Sequence, residues 1–343
     1  MNKKAKERIF ELDALRGIAS LLVVIFHLLM NSNGLTFNIG STGVDLFFMI
    51  SGFVIYNSID NESKPIAFIK SRFIRLFPIY WVVVIFTFIL IRIAFYLDFP
   101  NIELTSIKDF FINLTMIQYY FKVKDIDGPF WTLILELNFY VLVLFLFRFR
   151  VKIPILFFIF TVIVFVCELF ISPDNKYYQS ILFNFPLFKW IPLFSAGILF
   201  YKIYKKEIQL AIGLTMLLIC YGIQIFIFYQ FHSLSDETFI SFNQHLLSTS
   251  IYFLLFSLLV TNKLKFISNK ATLFLGRISY PLYLIHQFIS ISIIIPFCNQ
   301  YLGINYYISS FLICLPLILI LSFLFHKYIE LKLSKVLLVL LKK

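Results

Sequence analysis

Long apolar stretches separated by short polar ones recur along the whole chain. Stretches such as "WVVVIFTFIL" and "LPLILILSFLF" contain no charged residue and no alternation of polar and apolar positions. Such a run is typical of an α-helix that crosses a bilayer, because about 20 apolar residues span the hydrocarbon core. The strands of a membrane β-barrel would alternate instead. The pattern therefore predicts an all-α, polytopic membrane helical bundle.

Ten stretches are long enough to cross the membrane, some with help from tilt or flanking residues. We place them at residues 15–32, 43–59, 78–97, 130–148, 152–171, 186–203, 208–230, 245–262, 278–297 and 306–326. Ten crossings put both termini on one side. No internal repeat or soluble segment interrupts the series, so the sequence predicts a single transmembrane domain over residues 1–343.

The composition agrees with this assignment, and the distribution of charge indicates which side of the membrane holds the termini. The chain is 60% hydrophobic and 14% charged, against about 45–50% and 25% in a soluble domain. With ten crossings, 24 of the 30 Lys and Arg residues fall on the side of the termini. Because cytoplasmic loops carry the excess of basic residues, both termini are predicted to be cytoplasmic. The net charge of +12 is then a consequence of topology, and no nucleic-acid partner is expected.

The first apolar stretch, "LDALRGIASLLVVIFH", carries groups that are expensive at membrane depth. Arg16 and His27 are eleven residues apart, which is about three turns plus 20°, so they share one face of the helix. Asp13 lies within about 40° of the same line. This polar stripe indicates a function, with Arg16 at the inner mouth and His27 in the outer half of the bilayer.

Two carboxylates are predicted at the depth of His27. Asp45 lies in "GVDLFFMISG", which enters from outside, and Glu136 lies in "GPFWTLILELNFY", about 8 Å below Trp131. An imidazole beside a carboxylate is typical of an oriented general base. We therefore take His27, Asp45 and Glu136 as candidate catalytic residues, and leave open which carboxylate assists His27. The alternative is that the carboxylates only hold helices together.

A basic cluster is predicted on the inner side, in "KPIAFIKSRFIRLFPIYW". Arg72 and Arg75 are spaced i, i+3, and Pro78 is expected to begin the third span. Arginine forks match phosphate oxygens in pairs, so the cluster indicates an anionic-ligand site that Arg16 joins. The alternative is a basic amphipathic segment that rests on anionic lipid.

Other candidate chemistry is sparse. His286, in "GRISYPLYLIHQF", is expected about 10 Å from the inner surface, as a supporting residue or a bridge between two helices. We assign no role to the histidines near the ends of stretches. The four cysteines lack the spacing of metal ligands, so no metal is expected. No GxSxG, HEXXH or P-loop motif is present.

These motifs, in this order, resemble those of the acyltransferase-3 family of integral membrane proteins. That family includes O-acetyltransferases that act on lipopolysaccharide O-antigen, exopolysaccharide, peptidoglycan and Nod factor. The resemblance covers essentially the whole chain. It implies a ten-helix bundle that takes an acyl group, most often acetyl, from cytoplasmic acyl-CoA and transfers it to a sugar hydroxyl at the outer face. We expect the standalone type without an SGNH domain, in a bacterial inner membrane.

The resemblance also implies roles for individual residues. Arg16 and His27 match the family's first-helix signature. Arg72 and Arg75 match its basic pair, here spaced RFIR where some members have RxR. The resulting hypothesis is that these arginines bind the phosphates of CoA, while His27 acts as general base or as acyl carrier. Acyl-CoA is then a substrate, the acceptor is a glycan or glycolipid, and no permanently bound cofactor is expected.

The alternative function is a transporter or flippase of lipid-linked sugars. Such a protein is expected to contain repeats, with functional groups spread over both halves of the chain. Here the principal candidates all fall within the first 140 residues. The sequence therefore favours the enzyme.

Overall fold

The structure is a computed structural model that describes residues 8–32, 34–60, 65–149, 152–172, 174–234 and 239–340. Throughout these ranges the regular structure is helical, without a strand, which confirms the prediction of an all-α bundle. Several basic residues that contribute to the predicted charge asymmetry lie outside the described residues, namely Lys3, Lys4, Lys6, Lys64, Arg150, Lys342 and Lys343. The cytoplasmic placement of both termini stays a prediction.

The helices are numbered here in chain order. They are α1 (Phe10–Leu29), α2 (Gly43–Asp60), α3 (Pro65–Tyr96), α4 (Ile107–Asn113), α5 (Trp131–Arg148), α6 (Ile153–Phe170), α7 (Lys176–Asn184), α8 (Ile191–Tyr204), α9 (Leu210–Leu234), α10 (Phe242–Val260), α11 (Lys270–Tyr301) and α12 (Tyr306–Leu340). Both α11 and α12 contain π-helical turns.

Nine helices in the described part of the chain are long and apolar enough to cross a membrane. The segments Lys176–Asn184 and Phe188–Tyr204 are bent by 75° relative to one another, and they supply a tenth span if the pair is counted as one. The sixth predicted stretch, residues 186–203, corresponds to the second arm of this pair. Nine or ten spans agree with the number predicted from the sequence.

The predicted start of the third span at Pro78 is wrong. Helix α3 begins at Pro65 and continues through Pro78. A proline has no N–H, so the carbonyl of Ile74, four residues earlier, loses its helical partner. Ser334 of α12 donates to that carbonyl at 3.4 Å, which is how a membrane helix tolerates an internal proline. Arg72 and Arg75 therefore belong to the same continuous helix that crosses the membrane.

Helices α1 and α11 approach each other very closely at two glycines. A Cβ atom on Gly276 would lie 2.1 Å from the carbonyl oxygen of Asp13, and one on Gly17 would lie 2.6 Å from the nitrogen of Gly276. Ten residues further along each helix stand His27 and His286, which contact one another at 3.1 Å. The equal spacing shows that α1 and α11 run parallel from one contact to the other, over about 15 Å.

A second pair of glycines joins α2 to α8. A Cβ atom on Gly52 would lie 2.2 Å from the carbonyl oxygen of Phe194, and one on Gly197 would lie 2.1 Å from that of Met49. Helix α2 also meets α1 closely, since a Cβ on Gly43 would lie 2.6 Å from the carbonyl oxygen of Ala19. The contacts place α11, α1, α2 and α8 in that order through the bundle. Small residues permit such approach in a membrane, where packing holds helices together.

We expect Gly276→Ala to lower the free energy of unfolding by about 1–3 kcal/mol, because the added methyl group collides with backbone that has no room to move. Chemical or thermal unfolding of the purified protein in detergent measures this. The matched control is Gly222→Ala in α9, where a Cβ atom would have nothing within 4 Å. There the better helix propensity of alanine is expected to leave stability unchanged or slightly higher. Equal destabilisation by both changes would contradict the packing argument.

Candidate active site

The centre of the candidate site is a pair of histidines from α1 and α11. Nδ1 of His27 lies 2.9 Å from the carbonyl oxygen of Val23 and 3.1 Å from Nε2 of His286. Nδ1 of His286 lies 2.8 Å from the carbonyl oxygen of Tyr283. The rings meet edge to face, with centroids 4.9 Å apart. The pair lies inside the bundle, where His286 is only 1% exposed.

These contacts fix the tautomer of each ring when both are neutral. A carbonyl oxygen only accepts, so Nδ1 of each histidine carries the hydrogen. Nε2 of His286 then has a lone pair and accepts from Nδ1 of His27. Nε2 of His27 is left with a free lone pair. His286 thus orients His27 as a carboxylate or carbonyl orients the base in other enzymes, and His27 can act as a base or a nucleophile.

His286 lies level with His27, whereas the sequence predicts it nearer the inner surface than His27. The ninth span is predicted to begin at residue 278, whereas α11 begins at Lys270 behind a capping box formed by Asn269 and Thr272. His286 therefore lies about 24 Å along the helix and level with His27. Lys270 and Arg277 conceal this start, because an apolar stretch is recognised only where the charges end. The residue that received a supporting role is the direct partner of His27.

Glu136 lies in another part of the bundle, together with two of the predicted arginines. A cavity of about 70 Å³, which we call the arginine cavity, is lined by Arg16, Arg75, Glu136 and Tyr283. The hydroxyl of Tyr140 donates to Glu136. The structure therefore gathers residues from α1, α3, α5 and α11 around one internal space.

Arg72 is attached to the same cluster from one side. Its guanidinium lies over the rings of Phe68 and Tyr140, at 5.6 and 5.9 Å from their centroids. Its Nη2 also donates to Ser58 at 3.2 Å. The guanidinium thus rests on the tyrosine that holds Glu136. The three predicted arginines all lie near the Glu136 and Tyr140 pair, as the anionic-ligand hypothesis requires.

Asp13 stands at the mouth of this region, between two arginines. Its carboxylate is 2.6 Å from Nε of Arg8 and 3.9 Å from Nη1 of Arg16. The contact with Arg8 is largely exposed and contributes at most about 1 kcal/mol. Asp13 therefore helps to position Arg16 without neutralising it fully.

Tyr283 connects the arginine cavity with the histidine pair. Its side chain lines the cavity and its hydroxyl lies 2.8 Å from Oγ1 of Thr132. Its backbone carbonyl accepts from His286. One residue thus borders the arginine cavity and orients the partner of His27. The arrangement can hold an anion at one end and present a base or nucleophile at the other.

Asp45 has a different histidine as its neighbour. Its Oδ2 lies 3.7 Å from Nδ1 of His245 in α10, whose ring stacks on Phe228. Both Asp45 and His245 line a separate, mainly apolar cavity of about 330 Å³. Sequence reasoning assigned no role to His245, because its position at the start of an apolar stretch is that of an ordinary interfacial residue.

The structure does not bring His27, Asp45 and Glu136 together. Within the described ranges, no carboxylate forms an ion pair with His27. The partner that sequence analysis sought among the carboxylates is instead His286. Catalytic roles for Asp45 and Glu136 stay predictions. In the same ranges, no cluster of three or more His, Cys, Asp or Glu side chains has the arrangement of a metal site.

Comparison with known proteins identifies the family. A family model described as an acyltransferase domain matches residues 9–327 of the chain. The chain belongs to the acyltransferase-3 family. The resemblance carried by the sequence motifs is thereby confirmed, and the protein is a multi-pass membrane acyltransferase rather than the transporter considered as the alternative.

Three relatives extend this result. A protein of Acidianus two-tailed virus, ORF330, named provisionally as an acetyltransferase, is 26% identical over 291 residues, which are 83% of this chain and 84% of that protein. The exopolysaccharide production protein ExoZ of Rhizobium meliloti (strain 1021) is 39% identical over 83 residues, 24% of this chain and 25% of ExoZ. Protein 2 in the picA locus of Rhizobium radiobacter is 35% identical over 85 residues, 23% of this chain and 44% of that protein. No solved structure matches the chain.

We expect His286→Leu to reduce the rate of acyl transfer about 10- to 100-fold, as loss of an orienting partner typically does. Leucine removes one of the two acceptors near Nδ1 of His27 and leaves only the carbonyl oxygen of Val23, so the imidazole is held less firmly. His286→Gln restores an acceptor near the same place and is expected to recover part of the rate. A purely structural role would lower folded protein yield in step with activity, so specific activity per folded molecule is the deciding measurement.

Proposed function

We propose that this acyltransferase moves an acetyl group from acetyl-CoA on the cytoplasmic side to a hydroxyl of a cell-surface or lipid-linked glycan. The observation that carries the proposal is that Tyr283 lines the arginine cavity and also accepts, through its backbone carbonyl, from His286, the partner of His27. Residues 1–343 act as one domain in a bacterial cytoplasmic membrane. The local likeness to an exopolysaccharide production protein from Rhizobium supports the glycan acceptor and the bacterial setting.

The arginine cavity suits the phosphates of acetyl-CoA. Arg16, Arg72 and Arg75 present guanidinium groups from two helices to one region. In the described part of the chain, neither Arg72 nor Arg75 forms an ion pair with a carboxylate. A buried cation without a full counter-charge is costly, so an anionic ligand is favoured there. No resident cofactor is required, because the donor arrives with each turnover.

The free Nε2 of His27 supports either of two routes. As general base, Nε2 takes the proton of the acceptor hydroxyl while the hydroxyl oxygen attacks the thioester carbonyl. The C–S bond then breaks, and the proton passes from Nε2 to the departing CoA thiolate. As acyl carrier, Nε2 attacks the thioester carbonyl itself and releases the thiolate. The acceptor oxygen then attacks the acetyl-imidazole, the C–N bond breaks, and the hydroxyl proton goes to the thiolate or to water. In both routes Nδ1–H stays directed at His286.

We expect membranes that contain the wild-type protein to transfer label from radiolabelled acetyl-CoA to glycan, and His27→Ala to abolish the transfer. The loss follows because both proposed routes act through Nε2 of His27, which alanine removes. His326→Ala is the matched control, since His326 pairs with Glu330 on α12, away from the histidine pair. Label that reaches glycan equally in wild type and His27→Ala would overturn the assignment of the catalytic histidine.

The arginine cavity makes a separate prediction. Arg75→Gln is expected to raise the KM for acetyl-CoA about tenfold or more, because a hydrogen bond to a charged group contributes about 1.5–3 kcal/mol. The KM for S-acetyl-pantetheine, which lacks the nucleotide phosphates, is expected to stay the same. Arg277→Gln, an exposed basic position on α11, serves as the control. An equal rise for both donors would show that Arg75 acts on something other than phosphate.

A further inference from the structure

We infer that a polar groove at the histidine end of the bundle binds the acceptor glycan and selects a neutral or amino-sugar chain over an anionic one. The inference rests on the proposed function and names the class of its acceptor. The histidine end is the end of α1 and α11 that follows His27 and His286, opposite the arginines. The groove consists of two cavities that share Asn101, Ile291 and Ser292 in their walls.

The first cavity is the larger and more polar of the two. It has a volume of about 540 Å³, within the usual range of small-ligand sites. The loop between α3 and α5 supplies one wall, with Glu103, Asp125 and Asp127, and α11 supplies the other with Gln287. The second cavity, about 300 Å³, continues past amide side chains that include Asn31 and Asn299. Two joined cavities suit an extended chain better than a single small molecule.

The groove adjoins both helices that carry the histidine pair. Gln287 follows His286 directly in α11, and Asn31 lies four residues, or about one turn, beyond His27. Tyr306, which borders the second cavity, donates to the carbonyl oxygen of Leu28. A chain in the groove therefore passes residues that follow the histidines in both helices, and this places an acceptor close to the pair.

Asp127 is the residue in the groove whose side chain has an unsatisfied hydrogen-bonding atom. It is only 3% exposed, and its Oδ1 accepts from the backbone N–H of Phe288 at 3.2 Å. Its Oδ2 is buried and finds no hydrogen-bond partner anywhere in the described part of the chain. Burial holds the pKa of Asp127 well above its ordinary value, which favours the protonated carboxyl. The Oδ2 hydroxyl is then a donor, and a sugar oxygen is the kind of acceptor it lacks.

The charges around the groove decide which glycans fit. Lys124 is the basic residue in the wall of the first cavity, and its Nζ is already paired with Glu103 at 2.7 Å. Asp109 and Asp125 remain as carboxylates without a cationic partner among the described residues, and Asp125 accepts from Gln118 at 2.6 Å. Carboxylates and amides accept from sugar hydroxyls or ammonium groups. A uronate or a phosphate-bearing chain would instead meet like charge.

The same charges keep donor and acceptor apart. Acetyl-CoA carries several negative charges and is attracted to the arginine cavity but repelled by the groove. A neutral chain gains no charge attraction from the arginines, and the carboxylates and amides of the groove offer it hydrogen-bond acceptors at the histidine end. The two substrates therefore reach His27 from opposite ends of the bundle without competing for one site.

Equilibrium binding to the protein in nanodiscs, without any acyl donor, tests the groove directly. The probes are three tetrasaccharides, one of glucose, one of glucosamine and one of galacturonate. We expect the first two to bind at least tenfold more tightly than the third. Asp127→Ala is expected to weaken binding of the glucose chain about tenfold or more. The same binding by all three chains, or by none, overturns the inference.

Selectivity is tested by reversing one charge. Asp125→Lys is expected to reduce the discrimination against galacturonate tenfold or more. The control is Asp98→Lys, which makes the same charge change at the same end of the bundle. Asp98 is exposed and lines neither cavity, so this variant is expected to leave the discrimination unchanged. Glu103→Lys, at an exposed wall position, provides a second variant if Asp125→Lys does not fold. An equal shift by the groove and control variants overturns the inference. Selective binding in a protein that transfers no acetyl group would uphold the groove and refute the proposed function.

Discussion

The close approach of α1 and α11 at Gly17 and Gly276 is the constraint on which the site depends. Backbone meets backbone there, with no space for a methyl group, and the two helices leave that contact in parallel. Each carries a histidine ten residues later. Because a helix is stiff over three turns, fixing the glycines fixes the distance between the imidazoles. A contact near one end of the bundle thus sets the position of His286 beside His27, about 15 Å away.

The polar groups inside the bundle are arranged by sign along its length. Guanidinium groups surround the Glu136 and Tyr140 pair at one end, and carboxylates and amides line a groove at the other. The histidine pair between them is held by backbone carbonyls and by itself, without a carboxylate. In a medium of low dielectric constant, the electrostatic interactions of these separated groups extend over long distances. It gives an anionic donor and a neutral acceptor different places to bind while one side chain serves both.

Some features of the fold and the site could be predicted from the sequence and others could not. The reason differs from residue to residue. The helical stripe of Arg16 and His27 follows from spacing alone, and the structure keeps Arg16 in the arginine cavity. Pro78 does not mark the start of its helix. A proline ends a helix unless another segment satisfies the freed carbonyl, and Ser334 does so for the carbonyl of Ile74, 260 residues away in the chain. The sequence predicts His286 nearer the inner surface than His27 because Arg277 ends the apolar stretch that hydropathy recognises, whereas α11 extends back to Lys270. Asp45 was assigned to His27 by depth, yet depth says nothing about which side of a helix faces which neighbour.

The sequence by itself determined the class of the protein, the number of its spans and the residues in which chemistry is concentrated, because hydropathy, charge asymmetry and helical periodicity are properties of short segments. The acyltransferase-3 motifs could be recognised for the same reason. Only the tertiary structure decided that His27 is oriented by a histidine from a distant helix, that Glu136 lies with the arginines, and that one oxygen of Asp127, Oδ2, has no hydrogen-bond partner among the described residues. Those facts depend on the rotation of each helix about its axis, and that rotation is set by contacts such as Gly17 with Gly276 between segments far apart in the chain.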